Sequence, residues 1–248
     1  MRWFGQEAST RKRFAWRYQG KVRQLCADID VLFGLATEIN GTFHDLVAEV
    51  ASEMGVGRLL RGPIKQTGRA IQKAFRCYNR DPSCLTDIVR CTVIFESIPD
   101  MVKFLRRIVD SSQIGFAPTE QMVSELGGED GTSLNIPRQE TLRLMDFASV
   151  GGLGMSKKTR ITNLKNRTDP DFDVWQSAGF RGVSINIEVG WVMEPSGVPK
   201  LLPVEKWEQV EAATHICELQ LQLNNMYELS TNVATYQYYV RWRNLLSR

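Results

Sequence analysis

The side chains best suited to chemistry are two carboxylates, Asp87 and Glu218, and a run of cations. Arg58, Arg61, Lys65, Arg69, Lys73, Arg76 and Arg80 follow one another at steps of three or four residues, with no Asp or Glu between the first and the last. That step is helical. The charges are expected to line one face while Leu60, Ile64, Ile71, Phe75 and Tyr78 line another, in a helix that begins near Pro63. Like charges one turn apart repel by roughly 0.2–0.5 kcal/mol per pair. An unrelieved row is therefore a small liability unless an anion lies against it. Carboxylates facing such a row suit phosphate chemistry. Mg²⁺ takes oxygen ligands from one or two carboxylates and from substrate phosphates, and Lys and Arg neutralise the rest of the phosphate chain. The plainer alternative is a solvated charged face, with Asp87 pairing with Arg90.

Other chemistries find less support. The two histidines, His44 and His215, are far apart and give no triad, and no cysteine pair has zinc spacing. Gly151-Gly152-Leu153-Gly154 lacks the Gly-Lys-Ser/Thr ending of a phosphate loop. The composition, 43% hydrophobic and 24% charged over 248 residues, is that of a globular chain. It excludes a disordered or collagen-like protein, and no apolar run is long enough to span a bilayer. Five cysteines, odd in number, and an opening that does not read as a secretory signal lead us to expect free thiols in a reducing intracellular compartment, cytosol or mitochondrion.

These groups need elements to position them. Leu85–Glu96 reads as a strand around Cys91-Thr-Val-Ile-Phe95, which puts Asp87 on it. Ser184–Val189 and Cys217–Leu223 alternate as strands, and the second carries Glu218, Gln220 and Gln222 on one face. Helical spacing runs from Val22 to Met54, with Gly41-Thr42 expected to divide it into two helices. A further helix follows Pro99, burying Met101, Leu105 and Ile108, and a long helix is expected from Asn225 onward. Residues from about 111 to 156 carry few periodic signals and read as an insertion.

Charge is unevenly spread. Residues 1–24 hold seven Lys or Arg and one acid, interleaved with Trp3, Phe4, Phe14, Trp16 and Tyr18, while the rest of the chain is slightly acidic. We read 1–24 as a basic aromatic arm suited to docking on a partner protein, RNA or an acidic membrane, and 25–248 as one domain.

Taken in order, Pro63-Ile-Lys65, Lys73, Leu85-Thr-Asp87-Ile-Val-Arg90, Lys165-Asn-Arg167, Gly179-Phe-Arg-Gly182 and Glu218-Leu-Gln220 resemble the RelA/SpoT-type synthetase domain of the nucleotidyltransferase superfamily. The resemblance is closest to its divergent branch. It implies an α/β fold, a mixed curved β-sheet flanked by helices, with an N-terminal helical region and a C-terminal helix. It also implies transfer of pyrophosphate from ATP to the 3′-hydroxyl of a guanine nucleotide or tRNA. By position, Asp87 and Glu218 would hold Mg²⁺ and act in catalysis. Lys65, Lys73, Arg69, Arg181, Lys165 and Arg167 would contact phosphates, Phe180 would stack on the acceptor guanine, and Gln220 would join the substrate site.

The match has departures. Pro63 stands where the family has Arg, Phe180 where it has Tyr, Ser184 where it has His, and Tyr236-x-x-Tyr239-x-x-x-Arg243 where it has His-x-x-Tyr-x-x-x-Arg. Each lost contact to a transition state lowers a rate steeply. The alternative expectation is thus an inactive relative, a structural subunit of a larger assembly that docks partner proteins through the arm.

Overall fold

The computed structural model describes residues 22–114, 157–168, 172, 177, 179–232, 237–238 and 241. Most of the basic arm, most of the insertion with its Gly151 cluster, and Tyr236, Tyr239 and Arg243 lie outside the described residues. Among the described residues no helix is long and apolar enough to cross a membrane.

The first helix, α1, is Ile29–Met54. It starts where Oδ1 of Asp28 accepts from the amides of Asp30 (2.9 Å) and Val31 (3.2 Å), satisfying two of the donors a helix start leaves open. It stops at Gly55, whose φ of 60° closes it in the left-handed conformation. The expected break at Gly41-Thr42 is absent. Gly41 lies on the exposed side, while Leu32, Ala36, Ile39, Phe43 and Val47 form an unbroken buried stripe. At about 1.5–3 kcal/mol for each large buried side chain, that stripe outweighs the ~1 kcal/mol a mid-helix glycine costs.

The row of cations does not lie on one helix. Arg58–Arg61 is a strand, β1, paired antiparallel with β2 (Arg90–Phe95). Residues 62–66 form a loop, and only Thr67–Cys77 is helical (α2). Gly62-Pro63 separates the two, and main-chain pairing with β2 claims the residues before it. Arg58 and Arg61 thus belong to a sheet edge, Lys65 to a loop, and Arg69, Lys73 and Arg76 to the helix. Arg80 follows in a turn with φ 65°.

A third correction concerns Asp87. The strand expected from Leu85 begins only at Arg90, so Asp87 lies in the segment leading into β2, after a 3-10 turn at Pro82–Cys84. The helix after Pro99 is α3, Ile98–Ser111, capped by Ser97 and buried through Met101, Phe104, Leu105 and Ile108. The remaining elements are β3 (Ser112–Ile114), β4 (Thr159–Asn166), β5 (Val183–Met193), β6 (Pro199–Leu201), β7 (Ala213–Leu223) and α4 (Asn224–Thr231).

The seven strands form one mixed, curved sheet flanked by helices, in the order β1-β2-β7-β5-β4-β3, with β6 on β5. β2–β7 and β3–β4 are parallel and the other pairs antiparallel. α1 and α3 pack together and against β7. Cys91, Val93, Phe95, Leu219, Leu221, Ile185 and Ile187 belong to the core they share. The alternate residues of the same strands face the other way, and these form the polar surface described next.

Candidate active site

Asp87 is 9% exposed and is gripped from two sides. Nζ of Lys65 donates to its Oδ2 at 2.5 Å and Nζ of Lys73 to the same oxygen at 2.9 Å. The loop carrying Lys65 is held beside Asp87 by the Lys65 amide, which donates to the Ile88 carbonyl at 3.0 Å. Lys73 comes from α2, between Ala70 and Ala74, the helix's two buried residues. Such small side chains let the helix approach closely. Oδ1 of Asp87 is buried without a hydrogen-bond partner.

The ionisation of the trio follows from its surroundings. Burial pushes the Asp87 carboxyl up, but Lys73 and Lys65 outweigh it and hold it below its usual range. Burial pulls the Lys65 ammonium down, opposed by Asp87 and reinforced by Lys73 and Arg90. Lys73 moves the other way: burial is outweighed by Asp87, Tyr78 and Glu218. The two lysines share one oxygen but differ in their other neighbours, which are cations for Lys65 and an acid and a phenol for Lys73.

Glu218 stands in the middle of β7, where its amide donates to the Val89 carbonyl at 2.9 Å. Register places Arg90, Glu218 and Asn186 abreast on β2, β7 and β5. One step along, Thr92, Gln220, Ser184 and Lys165 stand abreast on β2, β7, β5 and β4. Nε2 of Gln220 donates to Oε2 of Glu218 at 2.8 Å, and the Thr92 hydroxyl donates to Oε1 of Gln220 at 3.5 Å. Nδ2 of Asn186 donates to the Thr86 hydroxyl at 3.2 Å, tying β5 to the segment that bears Asp87.

Lys165 sits exposed on β4. Partial burial of its ammonium lowers its pKa, as do the nearby charges of Arg167 and Lys73, with Glu218 opposing them. Nη1 of Arg167 donates to the Ser184 hydroxyl at 2.8 Å, and its guanidinium lies 5.7 Å from the centre of the Phe180 ring. Nη1 of Arg181 donates to the Arg167 carbonyl at 3.2 Å. The loop bearing Phe180 lies tight against β7: a side chain at Gly182 would put its Cβ 2.8 Å from the Leu221 carbonyl oxygen.

The structure thus gathers Asp87, Lys65, Lys73, Glu218, Gln220, Lys165 and Arg167, with Phe180 and Arg181 stacked on and bonded to the last. Arg69 stands apart, exposed one turn before Lys73 on α2. Gln220 meets Glu218 and Thr92. Asp87 pairs with the two lysines, and the Arg90 alternative does not occur. Sequence reasoning includes Arg90 in the Leu85–Arg90 motif without giving it a site role, and gives none to Thr92, Asn186 or Tyr78. Asn186 carries a signal in the alternation of Ser184-Ile-Asn-Ile-Glu188. Tyr78, whose ring centre lies 5.4 Å from Nζ of Lys73, falls by its spacing with the apolar face of the helix.

Two other polar residues are structural. Nε2 of His44 donates to the Arg90 carbonyl at 3.1 Å beneath the sheet. Gln24 is buried: its Nε2 donates to the carbonyls of Leu85 and Ile216, both at 3.0 Å, and its Oε1 accepts from the Ile216 amide at 2.9 Å.

No protein-family model matches this chain, and no curated protein does. Among solved structures it is similar to small alarmone synthetase 1 from Bacillus subtilis bound to its product pppGpp, at 11% identity, covering 86% of this chain and 84% of that one, with a TM-score of 0.42. It is likewise similar to a GTP pyrophosphokinase family protein from Streptococcus pneumoniae, at 12% identity, 86% and 85% coverage and a TM-score of 0.46. Small alarmone synthetase 2 from the same Bacillus gives 12%, 87% and 81%, and 0.42. At such scores the chemistry rests on this chain's own side chains.

Proposed function

We propose that this face binds a nucleoside triphosphate and transfers its β,γ-pyrophosphate to the 3′-hydroxyl of a guanine nucleotide or tRNA. The observation that carries the reading is the excess of positive charge around Asp87 and Glu218. Lys65, Lys73, Lys165 and Arg167 crowd two carboxylates, and Lys65 and Lys165 are each disfavoured as ammonium ions by neighbouring cations as well as by burial. A polyphosphate would relieve that repulsion.

The donor set fits Mg²⁺ of the kind that substrate phosphates complete. Among the described residues no three His, Cys, Asp or Glu side chains form a cage. However, Asp87 has a buried oxygen without a partner, and Glu218 supplies a second carboxylate. Bound there through Asp87 and Glu218, Mg²⁺ would neutralise phosphate charge. The chain's own residues do the rest. Lys65 and Lys73 hold phosphate oxygens, Lys165, Arg167 and Arg181 line the far side, and Phe180 offers a ring to the acceptor base. Oε1 of Glu218, the oxygen Gln220 leaves open, takes the proton of the 3′-hydroxyl as its oxygen bonds to the β-phosphorus. The bond from that phosphorus to the bridging oxygen of the α-phosphate breaks, and AMP departs.

The test is AMP release from ATP in the presence of GDP, GTP or tRNA, with Asp87→Asn and Glu218→Gln as variants checked for folding. Turnover that survives in both folded variants removes the proposal.

A second reading has one observation in its favour. Oδ2 of Asp87 is already occupied by two ammonium groups, which could serve as permanent internal counterions in an inert structural subunit. It expects no ATP binding by calorimetry and a partner protein recovered in stoichiometric amount.

A further inference from the structure

We infer that the outward face of α2, from Arg69 to the turn at Arg80, is a docking surface for single-stranded RNA. It is the side of the helix turned to solvent, while Lys73 reaches inward to Asp87. The inference stands whether or not the nucleotide reading above holds.

Four observations carry it. The first is how the cations from residue 65 to 80 divide. The two lysines, Lys65 and Lys73, meet Asp87, whereas the three arginines, Arg69, Arg76 and Arg80, are exposed. That stretch holds no Asp or Glu, and Asp81, which follows it, is taken by Arg23. Among the described residues neither Arg69 nor Arg80 makes an ion pair. Arginines without acids are complementary to a polyanion, and a planar guanidinium both forks phosphate oxygens and stacks on bases.

The second is apolar company. Ile71 and Phe75, one turn apart on this face, are 41% and 58% exposed. The guanidinium of Arg80 lies 5.1 Å from the centre of the Phe75 ring. An exposed ring beside arginines is a platform for a base. Two apolar side chains are too few to enter a bilayer or to form the core of a protein interface. Gln72, exposed between the arginines and the apolar pair, has an amide that gives and takes hydrogen bonds, as a ribose 2′-hydroxyl does.

The third is the turn that ends α2. The Arg80 amide donates to the Ala74 carbonyl at 3.0 Å, and Asn79 and Arg80 are both left-handed, with φ of 49° and 65°. Asparagine takes that conformation readily, but for arginine it is unfavourable and glycine would suit it better. The strained turn holds Arg80 over Phe75. The fourth is where the basic aromatic arm joins the body. Arg23 bonds Asp81, and the Gln24 amide donates to the Ser83 carbonyl at 2.7 Å. Residues 1–21, with six Lys or Arg to one acid, therefore connect to the body beside the Arg80 turn.

The test is fluorescence anisotropy of the full chain with a labelled oligouridylate of about 20 nucleotides, longer than a strand-binding site requires, at several salt concentrations. Phe75→Ala is expected to weaken binding by about tenfold with the salt slope kept. Arg69→Gln combined with Arg76→Gln is expected to weaken it and to lower the slope of log K against log salt by about 1.4, from roughly 0.7 for each lost phosphate contact. Arg80→Gly relieves the left-handed strain, so it is expected to fold as the unmodified protein does and to bind severalfold more weakly. Arg107→Gln, which removes the same charge from an exposed pair with Glu53, is expected to bind as the unmodified protein does. Unchanged affinity in Phe75→Ala and Arg80→Gly overturns the surface, whatever the arm contributes, and so does absence of oligouridylate binding. Equal affinity for duplex RNA or for oligodeoxyuridylate overturns the assignment to an RNA strand. Binding to phosphatidylserine vesicles that is lost in Phe75→Ala, with no binding of oligouridylate, replaces it with a membrane surface.

Discussion

Gln220 donates through Nε2 to Oε2 of Glu218, two residues earlier on the same face of β7, at 2.8 Å. Its own Oε1 accepts from Thr92 on the neighbouring strand. The amide is therefore oriented at both ends, and one of the two Glu218 oxygens is committed to it. Glu218 is held in a fixed direction with the other oxygen open.

This arrangement makes Gln220 a positioning residue. Gln220→Ala should lower kcat for AMP release by about ten- to a hundredfold, with KM for ATP nearly unchanged. Weaker ATP binding at undiminished kcat would place Gln220 on the substrate instead.

Asp87 also carries a stability role. Removing it leaves Lys65, 11% exposed at its side chain, as a buried cation without its counterion. Asp87→Ala should destabilise the protein by about 3 kcal/mol in urea unfolding, and adding Lys65→Met should recover part of that. Equal stability of the single and double variants would show that Lys65 escapes to solvent.

Acid should act through two groups in separate windows. Burial lowers the His44 pKa beneath its ordinary 6.5, against the Arg90 carbonyl bond and Asp45 and with Arg61. The unfolded chain then takes up a proton before the folded one does. The neutral His44 stabilises fully above about pH 6.5 and the benefit is lost as pH falls toward its folded value. Asp87, also lowered, stabilises fully above its ordinary 3.8 and is lost only below that. Urea midpoints across pH 7 to 5 should fall for the unmodified protein and flatten in His44→Gln. An identical slope in both would assign the effect elsewhere.

Two glycines should respond in opposite directions. Gly41 is exposed in α1 with nothing within 4 Å of a new Cβ, so Gly41→Ala should stabilise by about 0.5–1 kcal/mol. Gly62→Ala drives a Cβ to 2.6 Å from the Arg90 carbonyl oxygen and should cost about 1–3 kcal/mol. Because it displaces the Lys65 loop, it should also weaken ATP binding. Thermal melts of the two variants give the comparison.

Much of the site is legible in the order of the residues alone. The alternation of Cys217–Leu223 places Glu218 and Gln220 on one polar face, and the spacing after Pro99 yields α3. Two features are not legible there. The 3-4 spacing of cations continues from Arg58 to Arg80 as though one helix ran through it, but main-chain pairing of β1 with β2 is a long-range event that local spacing does not encode. The same holds for Arg90. Its place in the Leu85–Arg90 motif is visible in the sequence, but its position abreast of Glu218 arises only from the parallel pairing of β2 and β7. Gly41 misleads because a helix breaker counts for little where tertiary packing holds both flanking turns.

The place of β7 has a consequence for how the protein comes into being. It is the last described strand in the chain, yet it lies between β2 and β5 in the sheet. While the ribosome is still translating, Lys65, Lys73 and Asp87 emerge early with only α1 and the β1–β2 ribbon for support, and a two-stranded piece is marginal alone. The nascent polypeptide must keep a slot open at the middle of the sheet until Glu218 arrives. Closing so long a loop makes for slow assembly. A product that terminates before β7 would thus lack the sheet's middle as well as half of its acidic pair.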